Sequence, residues 1–208
     1  AITWADARAS DVAARLDATI TETERQDWFG APMGVDASHM AARMAWMAET
    51  APETWSATAH VLLPKDWVIG RLTGTVISDP VSQIGAVGQD GRFVKPLFAR
   101  IEGANARLPD LNEPLTVAGM TRLPGAPRDV PGATGLMYAC AAMFGLGARA
   151  EGDAIYLSGT SEILGAVNPK IAGAQGVLVF PPHLGITFHA APTQSGGASL
   201  AWLCALFD

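Results

Sequence analysis

The sequence predicts an α/β fold arranged in two lobes, and three observations carry that prediction. Apolar residues recur at three- and four-residue spacing through much of residues 10–74, which is typical of amphipathic helices. Residues 89–128 are richer in Gly, Pro and Asn, as expected near a boundary between two units. Four strand-like segments and a final helix follow, which favours an antiparallel or mixed sheet covered by a helix. We therefore assign residues 1–130 to the first lobe and residues 131–208 to the second.

The first lobe is predicted to begin with a short strand at residues 1–4 and to continue with two helices. Ser10 is a suitable N-cap for the first helix, because a serine hydroxyl can accept a hydrogen bond from a free backbone amide. Asp36 or Ser38 can cap the second helix, and Pro52 ends it because proline lacks the amide that a helix interior needs. The apolar stripes expected to pack in the core are Val12, Leu16 and Ile20 in the first helix and Met40, Met44 and Met47 in the second.

A third helix is predicted at residues 64–72. Pro64 suits its first position, and Gly74 suits the position after its end, where a left-handed backbone is common. Short strands are predicted on either side, at residues 60–63 and 75–78. This part of the lobe is therefore expected to alternate between strand and helix.

The second lobe is predicted to open with a helix of small apolar residues at 135–146 and to close with a helix at 195–207. Leu200, Leu203 and Phe207 share one side of the closing helix and are expected to face the core. Turn residues separate the apolar segments between the two helices, which favours strands. Those strands are predicted at residues 154–157, 163–167, 177–180 and 186–190, and one further helix is predicted in the first lobe at residues 95–101.

The composition excludes several classes of protein. Hydrophobic residues make up 49% of the 208 and charged residues 16%, which is the opposite of a disordered chain. The net charge is −6 without a run of Lys or Arg, so no nucleic-acid partner is expected. No stretch of about 18 apolar residues is present, so no membrane span is expected. With two cysteines outside any CxxC pattern and no visible signal peptide, the protein is expected to be cytoplasmic.

The best candidate for chemistry is the turn at residues 157–161, which contains Ser158, Gly159, Thr160 and Ser161. Backbone amides and hydroxyls that converge on one point can bind a phosphate oxygen, and glycine permits the close approach of a ligand to the backbone. An ordinary hairpin turn has the same composition, so both interpretations stay open.

The remaining polar candidates have simpler explanations. The glycines at residues 196–197 form either an anion site at the start of the closing helix or a tight entry turn. His39 lies near Asp36 in the first turn of the second helix, where its ring is expected to be exposed. No two of the four histidines have the spacing of metal ligands, so no metal site is predicted. Asp6 and Arg8 either pair with each other or anchor a substrate.

Five segments, taken in order, resemble those of the FGGY carbohydrate kinases and of their xylulokinase-like branch. Two of them are specific. One is the helix start Leu-Pro-Lys-Asp-Trp with Leu-Thr-Gly at the end of the helix, and the other is the hairpin Gly-Asp-Ala…Gly-Thr-Ser. The five segments lie at residues 1–8, 62–74 with Ser78 and Asp79 after it, 141–147, 152–161 and 197–202.

This resemblance implies a sugar or polyol kinase of the actin-like ATPase (ribonuclease H-like) fold, which uses ATP and Mg²⁺ and closes two lobes over a cleft. A ketopentose such as xylulose is among the implied substrates. By position, residues 158–161 would bind the phosphates of the nucleotide, and Asp36 and His39 would border the sugar pocket. A homodimer is compatible with the resemblance and stays open.

Three family features are missing from the chain. The family's first-strand motif Asp-x-Gly-Thr and its glycine-rich adenosine motif are both absent. The catalytic aspartate is expected shortly before Ala141, but residues 130–138 contain no carboxylate and Asp129 comes too early, so no catalytic residue is assigned. We expect the chain to be the central part of a longer kinase, with sheets that expose apolar edges. A catalytically inactive sugar- or nucleotide-binding regulatory protein of the same fold is the alternative.

Overall fold

The computed structural model describes residues 2–3, 5–193 and 195–207. Helices dominate the first part of the described chain and strands the second part, so the predicted α/β class is confirmed. The helices are α1 (Ser10–Asp17), α2 (Glu22–Phe29), α3 (Met40–Thr50), α4 (Pro52–Ala57), α5 (Pro64–Thr73), α6 (Lys95–Phe98), α7 (Tyr138–Gly145) and α8 (Gly197–Cys204), with a 3₁₀ turn at Asn105–Arg107. The strands are β1 (Ile77–Ser78), β2 (Asp110–Leu111), β3 (Val117–Met120), β4 (Pro131–Ala133), β5 (Ala154–Ser158), β6 (Glu162–Asn168), β7 (Leu178–Val179) and β8 (Thr187–Thr193).

A first hydrophobic core joins side chains of α1, α3 and α6. Met44 of α3 and Phe98 of α6 are almost fully buried in it. Met40 and Met47 are partly buried against the same core, so the interpretation of the methionine stripe as core packing is confirmed. Two small strand pairs contact α5: β1 pairs with β2 in parallel, and β3 pairs with β4 antiparallel.

A second hydrophobic core lies between α7 and an antiparallel sheet in which the strands follow the order β5-β6-β8-β7. Cys140 and Met143 of α7 share this core with Phe188 of β8. A Cβ atom at Gly165 of β6 would overlap the ring of Phe188, so the missing side chain gives that ring its space. The four predicted strands and the helix before them are therefore confirmed.

An irregular, buried segment at residues 78–87 lies between the two cores. Val81 belongs to the second core, Ala86 belongs to the first, and Ile84 packs against both. In the other direction, Val179 of β7 contributes to the first core. Each core therefore contains side chains from both parts of the chain. The division of the chain into lobes after residue 130 stays a prediction.

The sequence locates α5 accurately because both of its ends carry strong local signals. Pro64 is its first residue, and Gly74 follows it with a φ of +80°. Residues 60–63, in contrast, form no strand, so that prediction is wrong. The amide of Val61 donates instead to the carbonyl oxygen of Arg107 at 2.9 Å, which ties this segment to the 3₁₀ turn rather than to a sheet.

The start of the chain differs from the prediction in two ways. Ala1 and Trp4 of the expected opening strand lie outside the described residues, and Ile2 and Thr3 are not in a strand. Ser10 is the first residue of α1 rather than its N-cap, because its hydroxyl donates backward to the carbonyl oxygen of Ala7 at 2.6 Å.

The closing helix also differs from the prediction, because α8 does not bury an apolar side. Leu200, Leu203 and Phe207 are 63%, 45% and 83% exposed. Hydrophobic spacing identifies the apolar side of a helix but does not supply a partner for it, and no described element covers this one. Tyr156 and Leu164, which stand opposite each other on β5 and β6, are exposed as well. In the described part of the chain, no helix has the length and the apolar character needed to cross a membrane.

Candidate functional site

The segment at residues 158–161 forms the tip of the β5–β6 hairpin. Ser158 stands opposite Glu162 in the register, and the amide of Gly159 donates to the carbonyl oxygen of Ser161 at 2.9 Å. Ser158, Gly159 and Thr160 are exposed and Ser161 is half-buried. The predicted hairpin is therefore present, with its tip accessible to a ligand.

The first turn of α8 holds this hairpin from behind. The amide of Gly197 donates to the carbonyl oxygen of Gly159 at 2.9 Å, and the amide of Gly196 donates to that of Thr160 at 3.0 Å. The amide of Ala198 also approaches the Thr160 oxygen, at 3.3 Å. Because these helix amides are engaged within the chain, the structure favours a tight entry turn at residues 196–197 over an anion site.

The tip itself keeps donors for a ligand. The amides of Thr160 and Ser161 donate no hydrogen bond to another described residue, and neither do their hydroxyls. Glu162 is the neighbouring carboxylate, and its hydrogen bond is the main cause that raises the pKa of the exposed Tyr156 phenol. Two amides and two hydroxyls on one turn match the acceptor oxygens of a phosphate group.

His39 and Asp36 lie together before α3. One ring nitrogen of His39, Nδ1, accepts from the amide of Ala41 at 3.1 Å and so caps the helix, while Nε2 lies 2.9 Å from the carbonyl oxygen of Gly85. The ring is thus partly buried rather than exposed, and burial is the main cause that lowers its pKa. Asp36 is exposed, and its Oδ1 accepts from the amide and the hydroxyl of Ser38.

Asp6 and Arg8 form the local ion pair that was one of their two expected roles. Arg8 Nε lies 2.8 Å from Asp6 Oδ1, and this hydrogen bond is the main cause that lowers the pKa of the carboxyl. The pair is close to the surface, so its contribution to stability is small.

A buried charge cluster, Lys65–Asp66–Asp79, is the main polar feature to which the sequence reasoning assigned no role. Lys65 Nζ lies 2.6 Å from Asp66 Oδ1 and 2.7 Å from Asp79 Oδ2. Both aspartates are fully buried, whereas Lys65 is 19% exposed. The available signal was the Pro-Lys-Asp segment and the following Ser-Asp pair, which contributed only to the family resemblance.

Burial changes the acidity of a carboxyl in this cluster. Burial is the main cause that raises the pKa of Asp66, and the hydrogen bond from Lys65 opposes that shift. Asp66 Oδ2 also accepts from the amide of Leu63 at 3.2 Å and so caps the start of α5. Asp79 Oδ1 accepts from the amide of Ser82 at 2.8 Å.

Residues 130–138 supply no carboxylate to the site. β4 pairs with β3, Thr134 is buried, and Asp129, just before the segment, is exposed with a φ of +59°. Among the described ranges, no three His, Cys, Asp or Glu side chains are grouped as a metal ion would require. The identity of a catalytic base therefore stays unassigned.

The first part of the chain is similar to a known family of proteins. Residues 1–126 match the N-terminal domain of the FGGY family of carbohydrate kinases. The chain is 28% identical over 170 residues to a xylulose kinase of Lactococcus lactis subsp. lactis (strain IL1403), covering 77% of this chain and 34% of that protein. It is 32% identical over 144 residues to a xylulose kinase of Streptomyces rubiginosus, covering 64% of this chain and 29% of that protein.

Among solved structures, the chain superimposes on a xylulose kinase from Brucella ovis with a TM-score of 0.81 and 25% identity. The match covers 99% of this chain and 44% of that one. The chain thus spans about a third of the length of the curated relatives it matches and less than half of the solved structure.

Proposed function

Because the chain belongs to the FGGY family of carbohydrate kinases, we propose that the protein transfers the terminal phosphoryl group of ATP to a hydroxyl of a sugar or polyol. A ketopentose such as xylulose is the proposed acceptor, since the relatives described above are xylulose kinases. The observation that carries the proposal is the family match over residues 1–126, joined to a hairpin tip whose Thr160 and Ser161 amides and hydroxyls donate to no other described residue.

In this proposal, Ser158, Gly159, Thr160 and Ser161 bind the phosphates of the nucleotide. Gly159 gives the phosphate access to the backbone, and the amides and hydroxyls of the next two residues, which donate to no other described residue, donate to its oxygens. Phosphoryl transfer depends mainly on positioning and on stabilisation of negative charge. The role of the hairpin is therefore to orient the transferred group and hold its oxygens.

Mg²⁺ is the proposed metal, and it neutralises phosphate charge when it is bound. It usually binds through nucleotide phosphates and one or two carboxylates rather than in an all-protein cage. This mode of binding needs no group of three protein ligands, and the described residues contain none. We propose that ATP carries the ion to the site.

Asp36 and His39 are the proposed sugar-side residues. The exposed Asp36 carboxylate can accept hydrogen bonds from sugar hydroxyls. His39 would border the pocket while its two ring nitrogens hold the start of α3 and the backbone of Gly85. We further propose a cytoplasmic location, where ATP is available.

The reaction is tested by coupled ADP release from the full-length protein over a panel of pentuloses, hexuloses and polyols. Release of ADP that depends on one of these acceptors supports the proposal. A well-folded protein that releases no ADP with any acceptor, but still binds ATP, would instead indicate a regulatory protein of this fold.

Removal of the hydroxyl at the hairpin tip is expected to weaken nucleotide binding. Thr160→Ala should raise the Kd for ATP by about tenfold, because a hydrogen bond to a charged group contributes about 1.5 kcal/mol. Isothermal titration calorimetry on the full-length protein measures the change. Ser56→Ala, an exposed hydroxyl on α4, is the matched control. An unchanged Kd for Thr160→Ala would contradict the assignment of the hairpin.

Displacement of the hairpin tip by a larger residue at the start of α8 should also weaken ATP binding. A Cβ atom at Gly197 would lie 2.7 Å from the carbonyl oxygen of Gly159, so Gly197→Ala must push the tip away from α8. We expect an ATP Kd raised by about tenfold and a stability loss of about 2 kcal/mol. Gly145→Ala is the control, because a Cβ there has open space. Equal ATP affinity in the two variants would show that the position of the tip is not important for binding.

A further inference from the structure

The buried segment at residues 78–87 is unusual because it is polar where it separates two apolar cores. Asp79, Ser82 and Gln83 are all at most 5% exposed. Burial of an irregular segment is costly unless its polar groups find partners. The partners of this segment therefore indicate what holds the two cores together.

Lys65 is the central partner, and its ammonium joins three parts of the chain. It contacts Asp66 within α5 at 2.6 Å and Asp79 in the buried segment at 2.7 Å. It also donates to the carbonyl oxygen of Thr134, the residue after β4, at 3.3 Å. The last contact links residues 69 positions apart in the sequence.

The Thr134–Met137 segment leads from β4 into α7, and three of its backbone amides donate hydrogen bonds to the first part of the chain. The amide of Thr134 donates to the carbonyl oxygen of Thr116 at 3.0 Å, and the amide of Gly135 donates to the carbonyl oxygen of Pro114 at 2.8 Å. The amide of Met137 donates to the hydroxyl of Ser82 at 2.8 Å. Since Cys140 and Met143 of α7 are part of the second core, these hydrogen bonds set the position of that core relative to the first.

The charges make Lys65 the member of the cluster whose loss has the largest effect. Two buried carboxylates share one ammonium, so removal of Lys65 leaves both without a counter-ion, and each must then stay charged or take up a proton at a cost in free energy. Loss of one partner from a buried ion pair is strongly destabilising for this reason. Loss of either aspartate instead leaves one ion pair in balance.

We propose that Lys65 is a positioning residue that fixes the Thr134–Met137 segment and, through it, the second core against the first. The kinetic consequence rests on the proposed kinase activity, because the sugar side and the phosphate hairpin must meet for transfer. Loss of the Lys65 contacts should then lower kcat more than it changes KM.

Hydrogen exchange on the full-length protein tests the positioning role of Lys65 without any assumption about activity. In Lys65→Met, the amides of Thr134, Gly135 and Met137 should exchange at least about tenfold faster, while those of β5 and β6 change by less than about twofold. Lys65→Arg keeps the charge and should restore most of the protection. Lys95→Met removes an exposed lysine from α6 and should change nothing.

The outcomes separate the proposal from a general structural role. Equal acceleration in the sheet and in the Thr134–Met137 segment, or no acceleration in either, overturns the assignment of Lys65. If Lys65→Met does not fold, Lys65→Gln is measured against the same two criteria. A protein that shows the local exchange change but no kinase activity sinks the proposed function and leaves the positioning role supported. In an active protein, a kcat that falls by about tenfold with KM unchanged supports both.

Discussion

Gly165→Ala is expected to lower the free energy of unfolding by about 3 kcal/mol, because the new methyl group overlaps the ring of Phe188. That ring is buried, and it packs on Phe180 with centroids 5.1 Å apart, so it has no free space to enter. For a chain of this size, the melting temperature should fall by roughly 6–12 °C. Thermal unfolding followed by circular dichroism measures the shift.

A double-mutant cycle shows whether the overlap is the cause. Phe188→Leu alone should destabilise by leaving a cavity, whereas the methyl group that Gly165→Ala adds would fill part of that cavity in the double variant. We therefore expect the double variant to be more stable than the sum of the single effects. Gly145→Ala, where a Cβ has open space, should leave the melting temperature almost unchanged. Strict additivity would mean that Gly165 is required for another reason.

Gly85→Ala is expected to cost a similar amount, about 3 kcal/mol, through two effects that act together. The φ of Gly85 is +71°, a left-handed conformation that costs an L residue roughly 1–2 kcal/mol. A Cβ there would also overlap Nε2 of His39, which lies 2.9 Å from the carbonyl oxygen of Gly85 itself. The ring would have to leave the cap of α3.

Gly91→Ala separates these two effects. Its φ is +73°, almost the same as that of Gly85, but a Cβ there meets nothing within 4 Å. It should therefore show only the backbone cost of roughly 1–2 kcal/mol. Chemical denaturation of both variants gives the comparison. If the two substitutions cost the same, the contact with His39 adds nothing to stability.

The elements that the sequence predicts well are those with strong local signals. Pro64 and Gly74 delimit α5, and alternating apolar residues identify the strands of the sheet. α2 was missed because it is polar and carries no apolar stripe. Its start is instead a capping box, in which the Thr21 hydroxyl accepts from the amide of Glu24 and the Glu24 carboxylate accepts from the amide of Thr21.

The polar features show the same division between local and long-range information. The hairpin whose tip lies at residues 158–161 could be predicted because it is a local structure, and its role in phosphate binding stays a prediction. The cluster of Lys65 with Asp79 and Thr134 could not, since its members come together only when two cores pack across a buried segment. The exposure of α8 was missed for a related reason: apolar spacing does not show whether a partner element is present.

The most direct test of the proposed function is the identity of the product that the full-length protein makes from ATP, Mg²⁺ and xylulose. We expect mass spectrometry to detect a xylulose phosphate in a 1:1 ratio to ADP, in an amount that falls when Thr160→Ala is assayed below saturating ATP. Formation of ADP at the same rate with and without any sugar or polyol, with no phosphorylated acceptor, would contradict the assignment as a carbohydrate kinase.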